Sequence, residues 1–505
     1  MQVLRDMLFD NPAIEADKVA LVYRDVRLTY KTLRARVRRI GSALLAAGIG
    51  HGDRVAILSE NRNEYVELFL GITGIGAIAV PLNYRLSPEE HAAILGDAEP
   101  AMMFAAAPFQ DNVARVQAEV SSLTRVLGIG GDTPWTDYEE FAAAAEAVPL
   151  TVPVAPDDIA GLLYTSGTTS LPKGVMLTHA NYLADYANIS GPLTIAPDIV
   201  NLQISPLYHA AAEHTYVQIY GGGMTVLLPK FDPGHILQLI VSERVNYMFV
   251  VPTMLYNILD HPDLATTDTS RIRMICYGAA PMTESRRREA VAAFGEVFSH
   301  AYGLTECTAF ASILTREEHA ATGGGSIGRG LAGSEIAVTD DEGRPVPPGE
   351  SGEIRVRGPQ VMKGYWNRPE ATEEALDNGW LRTGDIGSRD AEGYITVIDR
   401  KKDIIISGGA NIYPKDVEEA LARHPAVAEV AVYGVDHPNW GEAVEAAVVL
   451  KQGRTLEPED ITAFARGHLA GYKVPRSVRF LDALPRNPSG KILKRELRAR
   501  FGSPG

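Results

Sequence analysis

Apolar positions along the first two-thirds of the chain alternate between helical spacing and short continuous runs. Residues 31–49 carry apolar side chains at helical intervals, and the run at 54–58 has the length of a strand. Residues 64–70 are helical again. Further strand-like runs lie at 162–164, 225–228, 248–251 and 274–277, each near a Gly or Pro signal. This alternation predicts a mostly parallel α/β sheet.

The pattern changes after residue 326. Turn signals such as Asp341-Glu-Gly343, Pro347-Pro-Gly349 and Glu392-Gly393 separate short β-like runs as far as residue 399, which predicts an antiparallel β subdomain. Beyond residue 403 helical spacing at 416–421 and 460–469 alternates with strand-like runs at 427–432 and 443–450. We therefore place a boundary at 399–403, followed by a compact C-terminal domain.

Composition narrows the class of protein. The chain has 505 residues, with 46% hydrophobic and 22% charged, as expected of a globular protein with more than one domain or with one large domain and an appendage. A net charge of −15 disfavours nucleic acid and anionic membranes as partners. No apolar run reaches the length of a membrane-spanning helix, and the N-terminus does not resemble a signal peptide. Two cysteines, Cys276 and Cys307, are typical of a reducing cytoplasm.

The charge is distributed unevenly. Residues 400–505 carry 17 basic and 13 acidic residues, a net +4, which leaves 31 basic and 50 acidic residues, a net −19, for residues 1–399. Nine of the basic residues lie within 473–500. A solvated amphipathic helix is one interpretation of such a run. The other is a small basic lobe that closes over an anionic ligand held by an acidic body.

The most informative segment is Tyr164-Thr-Ser-Gly-Thr-Thr-Ser-Leu-Pro-Lys-Gly174. It follows a strand-like run and is dense in glycine and hydroxyl side chains, with one lysine, Lys173. Such a loop offers backbone N–H groups, hydroxyl donors and an ammonium to a polyphosphate. An ordinary Ser/Thr/Gly turn is the alternative. The Gly-Lys-Ser/Thr ending of a Walker A loop is absent, so a P-loop NTPase is disfavoured.

Six motifs in this order resemble those of the adenylate-forming superfamily, which contains acyl-CoA synthetases, peptide-synthetase adenylation domains and luciferases. The five motifs that follow the phosphate loop are Tyr302-Gly-Leu-Thr-Glu306, Trp380-Leu-Arg-Thr-Gly-Asp385, Asp399-Arg-Lys-Lys-Asp403, Ser407-Gly-Gly-Ala-Asn-Ile-Tyr-Pro414 and Asn487-Pro-Ser-Gly-Lys-Ile492. Each motif alone is weak, but the ordered set is specific and covers most of the chain. It looks most similar to the 4-coumarate–CoA ligase and fatty-acyl-CoA ligase branch.

The resemblance implies a fold of class α/β. A large multi-layer α/β body with a β-barrel-like subdomain, residues 1–399, would bind AMP. A hinge at 400–403 would connect it to a small mobile α+β C-terminal lid, residues 404–505. The lid would rotate about Lys402, so that Lys491 faces ATP in one pose and the 407–409 segment flanks the CoA tunnel in the other. Two conformations that share one hinge describe a domain-closure mechanism.

The resemblance also assigns roles to single residues. The catalytic set would be Lys491, Glu306, Thr305 and His209, with Lys491 bridging the carboxylate and the α-phosphate, and Glu306 binding Mg²⁺. The phosphate loop would use Thr165, Ser166, Gly167, Thr168, Thr169 and Lys173. Adenine and ribose would contact Gly278, Ala279, Ala280, Tyr302, Gly303, Asp385 and Arg400, and the CoA tunnel Ser407, Gly408 and Gly409.

The segment His209-Ala-Ala-Ala-Glu213-His214 allows three interpretations. Its spacing admits a metal site, which no further Cys/His pattern supports. A core histidine is the second interpretation. The third, which we favour, follows the resemblance: Pro206-Leu-Tyr-His209 looks like the segment beside the acyl carboxylate and the thiol tunnel. No Asp for a substrate amine is evident nearby, so an amino-acid substrate is disfavoured.

Other positions depart from the family or imitate other motifs. Ser170 stands where glycine is usual, which costs about 1 kcal/mol or more if that position needs φ > 0. Ala212 and Cys307 also differ from common family residues and would border the acyl pocket. Gly323-Gly-Gly-Ser-Ile-Gly328 satisfies a dinucleotide-binding pattern but follows a helix-like segment rather than a strand.

The function predicted from this resemblance is an AMP-forming carboxylate–CoA ligase that uses ATP, Mg²⁺ and coenzyme A. Small residues near the predicted acyl pocket predict a hydroxycinnamate-like aryl acid or a medium-chain fatty acid. Transfer to a carrier-protein phosphopantetheine, luciferase-like oxidation and a non-catalytic nucleotide or acyl binding protein are the alternatives. We expect a cytoplasmic protein without integral membrane association, and a homodimer is left open.

Overall fold

The computed structural model describes residues 1–120, 123–165, 172–280, 282–407, 410–486 and 492–502. The chain divides into two compact units. The first comprises Met1–Ile336 and Arg355–Arg382, and the second comprises Ala337–Ile354 and Thr383–Gly505. The predicted hinge at 400–403 lies within the second unit, and its hinge function remains a prediction.

Strands are numbered in chain order through the described residues. They are β1 (Val19–Tyr23), β2 (Val26–Thr29), β3 (Arg54–Leu58), β4 (Ile78–Pro81), β5 (Met102–Ala106), β6 (Val126–Ile129), β7 (Ile159–Thr165), β8 (Lys173–Thr178), β9 (Val200–Gln203), β10 (Met224–Leu227), β11 (Tyr247–Val250), β12 (Met274–Gly278), β13 (Phe298–Tyr302), β14 (Ser312–Leu314), β15 (Arg329–Gly330), β16 (Glu335–Thr339), β17 (Ser351–Arg357), β18 (Gly364–Tyr365), β19 (Leu376–Asp377), β20 (Trp380–Arg389), β21 (Ile395–Arg400), β22 (Ile405–Ser407), β23 (Ala410–Ile412), β24 (Val427–His437), β25 (Gly441–Leu450) and β26 (Ser477–Phe480).

Helices are numbered in the same way. They are α1 (Asp6–Phe9), α2 (Tyr30–Ala46), α3 (Asn63–Gly74), α4 (Pro88–Ala98), α5 (Gln110–Glu119), α6 (Tyr138–Ala143), α7 (His179–Ser190), α8 (Glu213–Gly221), α9 (Pro233–Ser242), α10 (Pro252–Leu259), α11 (Glu284–Phe294), α12 (Arg316–Thr322), α13 (Pro369–Ala375), α14 (Pro414–Ala422), α15 (Pro458–Arg466) and α16 (Lys494–Phe501).

The mostly parallel sheet predicted from the sequence is two sheets. One has nine strands in the order β15-β14-β13-β12-β11-β9-β10-β1-β2, and the other has seven in the order β18-β8-β7-β4-β3-β5-β6. The inner pairs are parallel, and antiparallel pairs lie at the ends, as with β7 and β8. Continuous apolar runs suit strands that are buried on both faces, which explains why the sequence pattern located them.

Local sequence signals set where several helices begin and end. Thr178 accepts a hydrogen bond from the Asn181 amide and starts α7 with a capping box. Gly323 ends α12 in the left-handed conformation, with φ 76°. The Gly323–Gly328 pattern therefore follows a helix, as expected, and is followed by the short strand β15, so its structural context is not that of a dinucleotide-binding motif.

The predicted β subdomain is a five-stranded sheet in the order β16-β17-β20-β19, with β21 beside β20. The strand pairings of the described residues give this order, and the barrel-like character expected from the resemblance remains a prediction. The C-terminal residues form a further five-stranded sheet in the order β23-β22-β25-β24, with β26 beside β25. Its apolar core includes Val432, Val448 and Ile461, which confirms a smaller α+β C-terminal domain.

Candidate active site

Three of the predicted site segments follow strands of the nine-stranded sheet. Residues 278–280 follow β12, residues 302–306 follow its parallel neighbour β13, and His209 lies beyond β9. Parallel strands present their carboxyl ends at one edge of a sheet, and ligands of open α/β sheets bind at that edge. The sheet topology therefore brings the predicted adenine, metal and acyl residues to the same edge.

The backbone is closely packed where these segments leave the strands. A Cβ atom on Gly303 would lie 1.9 Å from the carbonyl oxygen of Ala309, and one on Gly278 would lie 2.5 Å from that of Ala301. Ala279 and Thr308 both have φ 65°. Non-glycine residues in such conformations are strained, and strain of this kind is concentrated at functional sites. The predicted adenine segment thus needs glycine at 278 and 303 for close packing rather than for turn geometry.

Glu306, the predicted Mg²⁺ ligand, lies in a short 3₁₀ helix, Thr305–Cys307, and is half-buried. The hydroxyl of Tyr365 donates to its Oε1, at 2.8 Å. Lys173, the lysine of the phosphate loop, places Nζ 5.0 Å from the centroid of the same tyrosine ring. Tyr365 therefore connects the predicted metal ligand to the predicted phosphate-binding cation. The sequence analysis missed Tyr365, because nothing in its local pattern distinguishes it from a core tyrosine.

The phosphate loop connects β7 to β8. These strands are antiparallel and pair Thr165 with Lys173, so both ends of the loop are fixed by the sheet. Strand β18 extends this arrangement, since it pairs Tyr365 with Val175. The loop residues Ser166, Gly167, Thr168, Thr169 and Ser170 lie outside the described residues, and their assignment remains a prediction.

His209 is solvent-accessible and follows a loop that a buried amide holds in place. The Asn61 side chain donates to the carbonyl oxygens of Ser205 and Leu228, each at 3.0 Å, and accepts from the Leu207 amide at 2.8 Å. Surrounding protein atoms desolvate the imidazole and, with the Arg85 guanidinium, lower the pKa of His209. A lowered pKa favours the neutral imidazole, and the role of His209 beside the acyl carboxylate remains a prediction.

Glu213 and His214 point into different surroundings. His214 is buried, hydrogen-bonds through Nδ1 to the Tyr247 hydroxyl at 2.6 Å and stacks on Phe249, and burial lowers its pKa to about 3. Glu213 accepts a hydrogen bond from Tyr186 at 2.5 Å. The described part of the chain contains no group of three His, Cys, Asp or Glu residues able to bind a metal. His214 is thus a core histidine, and the metal interpretation gains no support.

The second unit contains the predicted ribose pair. Asp385 and Arg400 face each other on the antiparallel strands β20 and β21, and their side chains form an ion pair at 2.6 Å. Asp385 is buried, whereas Arg400 is more exposed. A carboxylate held in this way can accept hydrogen bonds from ribose hydroxyls.

The other predicted residues of this unit lie beside it or outside the described residues. Lys402 is in the 3₁₀ segment Lys401–Asp403, and desolvation lowers its pKa. Ser407 ends β22 and pairs with Ala410 across a hairpin whose connection, Gly408 and Gly409, is outside the described residues. Lys491 is also outside the described residues. The roles assigned to Lys402, Ser407, Gly408, Gly409 and Lys491 all remain predictions.

Family models match both parts of the chain. The AMP-binding enzyme model matches residues 8–366, and the AMP-binding enzyme C-terminal domain model matches residues 416–491. The chain belongs to the AMP-binding enzyme family. This confirms the assignment to the acyl-CoA synthetases of the adenylate-forming superfamily that the six motifs predicted.

Individual AMP-binding enzymes are similar to this one over nearly their whole length. A feruloyl-CoA synthase from Amycolatopsis sp is 41% identical over 94% of both chains. A long-chain-fatty-acid–CoA ligase from Mycobacterium tuberculosis is 38% identical over 95% of this chain and 94% of its own. The crystal structure of ATP-bound MatB from Rhodopseudomonas palustris superposes with a TM-score of 0.91, at 34% identity and 99% coverage of both chains.

Within the described ranges of the chain, no helix is both long enough and apolar enough to cross a bilayer. Both cysteines, Cys276 and Cys307, are buried free thiols.

Proposed function

We propose that this AMP-forming acyl-CoA synthetase acts on a hydroxycinnamate-like aryl acid or a medium-chain fatty acid, with ATP and coenzyme A as co-substrates. In the first step a carboxylate oxygen bonds to the α-phosphorus of ATP and pyrophosphate leaves. In the second, the CoA sulfur bonds to the acyl carbon, AMP leaves and the thiol proton is lost. The arrangement of Lys173, Tyr365 and Glu306 beside the strand ends is the observation that best supports this proposal.

The first step brings two anions together, so positive charge and positioning must provide most of the catalysis. Lys173 supplies one cation to the phosphates, and its contact with a tyrosine ring, rather than a carboxylate, leaves its charge available. Thr305 donates a hydrogen bond to the α-phosphate. Lys491 contributes the charge that offsets repulsion between the carboxylate and that phosphate.

Glu306 fits a magnesium ion bound together with a nucleotide. Mg²⁺ usually needs one or two protein carboxylates, with phosphate oxygens and water completing its shell. One half-buried carboxylate, oriented by a phenol and placed beside a phosphate-loop lysine, meets this requirement. A bound Mg²⁺ would neutralise phosphate charge. Glu306 would hold this ion, and Tyr365 orients the Glu306 carboxylate.

The remaining roles follow the family motifs. Tyr302 stacks on adenine, with Gly278, Ala279, Ala280 and Gly303 lining its pocket, while Asp385 and Arg400 bind the ribose. His209 hydrogen-bonds the acyl carboxylate. Ser407, Gly408 and Gly409 allow close approach of the CoA arm, and Lys402 is the hinge.

The proposed location of the protein is the cytoplasm. Free buried thiols and the absence of a membrane-spanning helix among the described residues are compatible with this location.

Small side chains support an acyl group larger than acetate. Ala210, Ala211 and Ala212 follow His209, and Ala279 and Ala280 follow β12. The feruloyl-CoA synthase at 41% identity supports an aryl acid, and the fatty-acid ligase at 38% supports an alkyl chain.

Pyrophosphate release over a panel of acids tests the proposal. The panel runs from acetate to palmitate and adds benzoate, cinnamate, 4-coumarate and malonate, each with ATP and CoA. We expect the highest kcat/KM for a cinnamate or a medium-chain acid, with matching thioester formation. A preference for acetate or malonate would contradict the inference that the acyl site accepts a group larger than acetate. No ATP–pyrophosphate exchange with any acid would indicate a binding protein instead.

A further inference from the structure

A cluster of carboxyl and phenol groups is buried where α3, α7 and α8 pack together. Glu213 lies at its centre and accepts a hydrogen bond from Tyr186. Asp185 lies close enough for the two carboxyls to affect each other. The other members are the hydroxyls of three further tyrosines, Tyr65, Tyr182 and Tyr216, whose pKa values are raised by burial and by the Glu213 charge.

Most polar atoms of this carboxyl–tyrosine cluster lack hydrogen bonds. Among the residues that the structure describes, no side chain hydrogen-bonds to either oxygen of Asp185, and none of the hydroxyls of Tyr65, Tyr182 and Tyr216 has a hydrogen-bond partner. Burial raises the pKa of Asp185 most, the Glu213 charge raises it further, and a hydrogen bond from the Phe310 backbone amide acts in the opposite direction. Buried polar groups in native proteins are normally paired, so an unpaired set in one place requires an explanation.

A second buried carboxylate, that of Glu67, shows which hydrogen bonds this protein gives to a buried carboxylate with a structural role. Glu67 is fully buried and accepts hydrogen bonds from Arg36 at 2.8 Å, Asn63 at 2.9 Å and Tyr138 at 2.6 Å. Asp185 is equally buried, yet no cation pairs with it in the described part of the chain. The carboxyl–tyrosine cluster therefore differs from an ordinary structural network of the same protein.

The cluster lies on the acyl side of the predicted site. Glu213 follows His209 by four residues, about 6–8 Å of helical rise, with only alanines between them. Asp185 is close to Cys307, the neighbour of Glu306, since its charge contributes to the raised pKa of that thiol. An acyl chain whose carboxylate contacts His209 would extend toward these groups.

We propose that the carboxyl–tyrosine cluster is the far end of the acyl site and binds a hydrogen-bonding group, a phenolic hydroxyl, on the acyl chain. The proposal rests on the proposed function and specifies the aryl class within it. A phenol can donate to Asp185 and accept from a tyrosine hydroxyl, which pairs groups that an alkyl tail would leave unpaired. Burial raises the pKa of Glu213 to about 8, so its neutral carboxyl can also donate. Entry of a ring requires side-chain rotation, which is common on binding.

Paired substrates that differ by one hydroxyl test this proposal. We measure kcat/KM for pyrophosphate release with cinnamate, 4-hydroxycinnamate and 4-methoxycinnamate, and dissociation constants for the corresponding acyl-sulfamoyl adenosines. The wild-type protein should favour 4-hydroxycinnamate over cinnamate about 10- to 100-fold, because the cluster otherwise stays unpaired. The methoxy acid, which cannot donate, should resemble cinnamate.

Two variants and a matched control locate the effect. Asp185→Leu should reduce the hydroxyl preference to about twofold or less while cinnamate remains a substrate. Tyr186→Phe should reduce it by a smaller factor. Tyr138→Phe is the control, because it also deletes a buried phenol bonded to a buried glutamate, Glu67, and it should leave the preference unchanged. If Asp185→Leu does not fold, the hydroxyl preference of Tyr186→Phe is compared with that of Tyr138→Phe. A lower preference in Tyr186→Phe alone supports the proposal, and equal preferences contradict it.

The outcomes separate this inference from the proposed function. If cinnamates are substrates but the hydroxyl preference is absent, or survives Asp185→Leu and Tyr186→Phe, the inference is wrong and the proposed function stands. A preference for a 4-trimethylammonio acid over the phenol would assign the cluster to a cation and overturn the inference. If no aryl or fatty acid releases pyrophosphate, the proposed function itself fails.

Discussion

The Tyr365 hydroxyl donates a hydrogen bond to Glu306, with 2.8 Å between Oη and Oε1. The face of the same ring receives the Lys173 ammonium. One tyrosine thus contacts both the predicted Mg²⁺ ligand and the predicted phosphate-binding lysine.

Tyr365→Phe should raise the KM for MgATP about 3- to 10-fold with a smaller effect on kcat. The ring remains for Lys173, but Glu306 loses one hydrogen bond, which typically contributes about 0.5–1.5 kcal/mol. Pyrophosphate release at varied Mg²⁺ and ATP, together with calorimetric MgATP binding, measures the change. Tyr138→Phe, which deletes a phenol–carboxylate bond to Glu67, is the control. Equal effects of both variants would show that Tyr365 has only a structural role.

Gly303→Ala should weaken ATP binding and lower stability. The new Cβ would lie 1.9 Å from the Ala309 carbonyl oxygen, and backbone atoms must move to relieve the clash. Overpacking of this kind costs about 1–3 kcal/mol. The midpoint of denaturation and the dissociation constant for ATP measure the two effects. Gly325→Ala, where nothing lies within 4 Å of the new Cβ, should change neither; unchanged values for Gly303→Ala as well would contradict the packing argument.

The Glu213 carboxyl should make the wild-type protein less stable as pH rises. Burial raises its pKa from 4.5 to about 8, so the folded state holds a proton that the unfolded state has lost between these values. The free energy of unfolding should therefore fall by about 1.4 kcal/mol per pH unit over that range, from this group alone. Glu213→Gln removes the effect, so its stability relative to wild type should increase from pH 5 to pH 8.

Denaturation midpoints of both proteins at four pH values measure this difference. Glu284→Gln provides a contrast, because hydrogen bonds from Arg287 and Arg288 lower the pKa of that exposed carboxylate to about 2. The difference in denaturation midpoint between Glu284→Gln and wild type should stay constant between pH 5 and pH 8. A constant difference for Glu213→Gln over the same range would mean that Glu213 is ionised in the folded protein.

The two half-reactions should depend on different residues of the C-terminal domain. Lys491→Ala should slow adenylation about 10²–10³-fold, the usual cost of losing one preorganised charge contact, but still convert supplied acyl-adenylate and CoA to thioester. Gly409→Leu should form adenylate and fail to form thioester, since a side chain there would fill the CoA tunnel.

Lys494→Ala is the matched control for charge in the same basic segment. Lys494 forms an ion pair with Glu418 at 2.8 Å, and its loss should leave both half-reactions near their wild-type rates. Single-turnover assays of adenylate and thioester formation separate the steps. If Lys491→Ala and Gly409→Leu damage both steps equally in folded protein, a single fixed site replaces the two-pose mechanism.

Local pattern was enough to predict most elements and the family. The run at 54–58 is strand β3, and the helical spacing at 416–421 lies within α14. Such segments can be assigned from their own residues, because the side-chain periodicity of a helix or strand is visible within one element. The family motifs were equally readable, since phosphate binding and adenylation demand particular residue types within a few positions. The segment assigned to phosphate binding follows the largely buried strand β7, as expected, and its phosphate-binding role remains a prediction.

Contacts between distant segments could not be read in this way. The apolar pattern indicated a mostly parallel sheet, and only strand pairing divides its strands between a nine-stranded and a seven-stranded sheet. Tyr365 and Glu306 are 59 residues apart, and only the pairing of β18 with β8 brings that tyrosine beside the phosphate-loop lysine.

The sequence alone thus determined the family and the order of many elements, because those depend on short-range spacing and residue type. Tertiary structure decided which side chains act together. The spacing of His209, Glu213 and His214 admitted a metal site, an interpretation that was not favoured, and in the structure Glu213 on α8 contacts Tyr186 and lies near Asp185 on α7. Burial then changes its protonation. Neither the neighbours of a side chain nor its desolvation is encoded locally, since both follow from long-range packing.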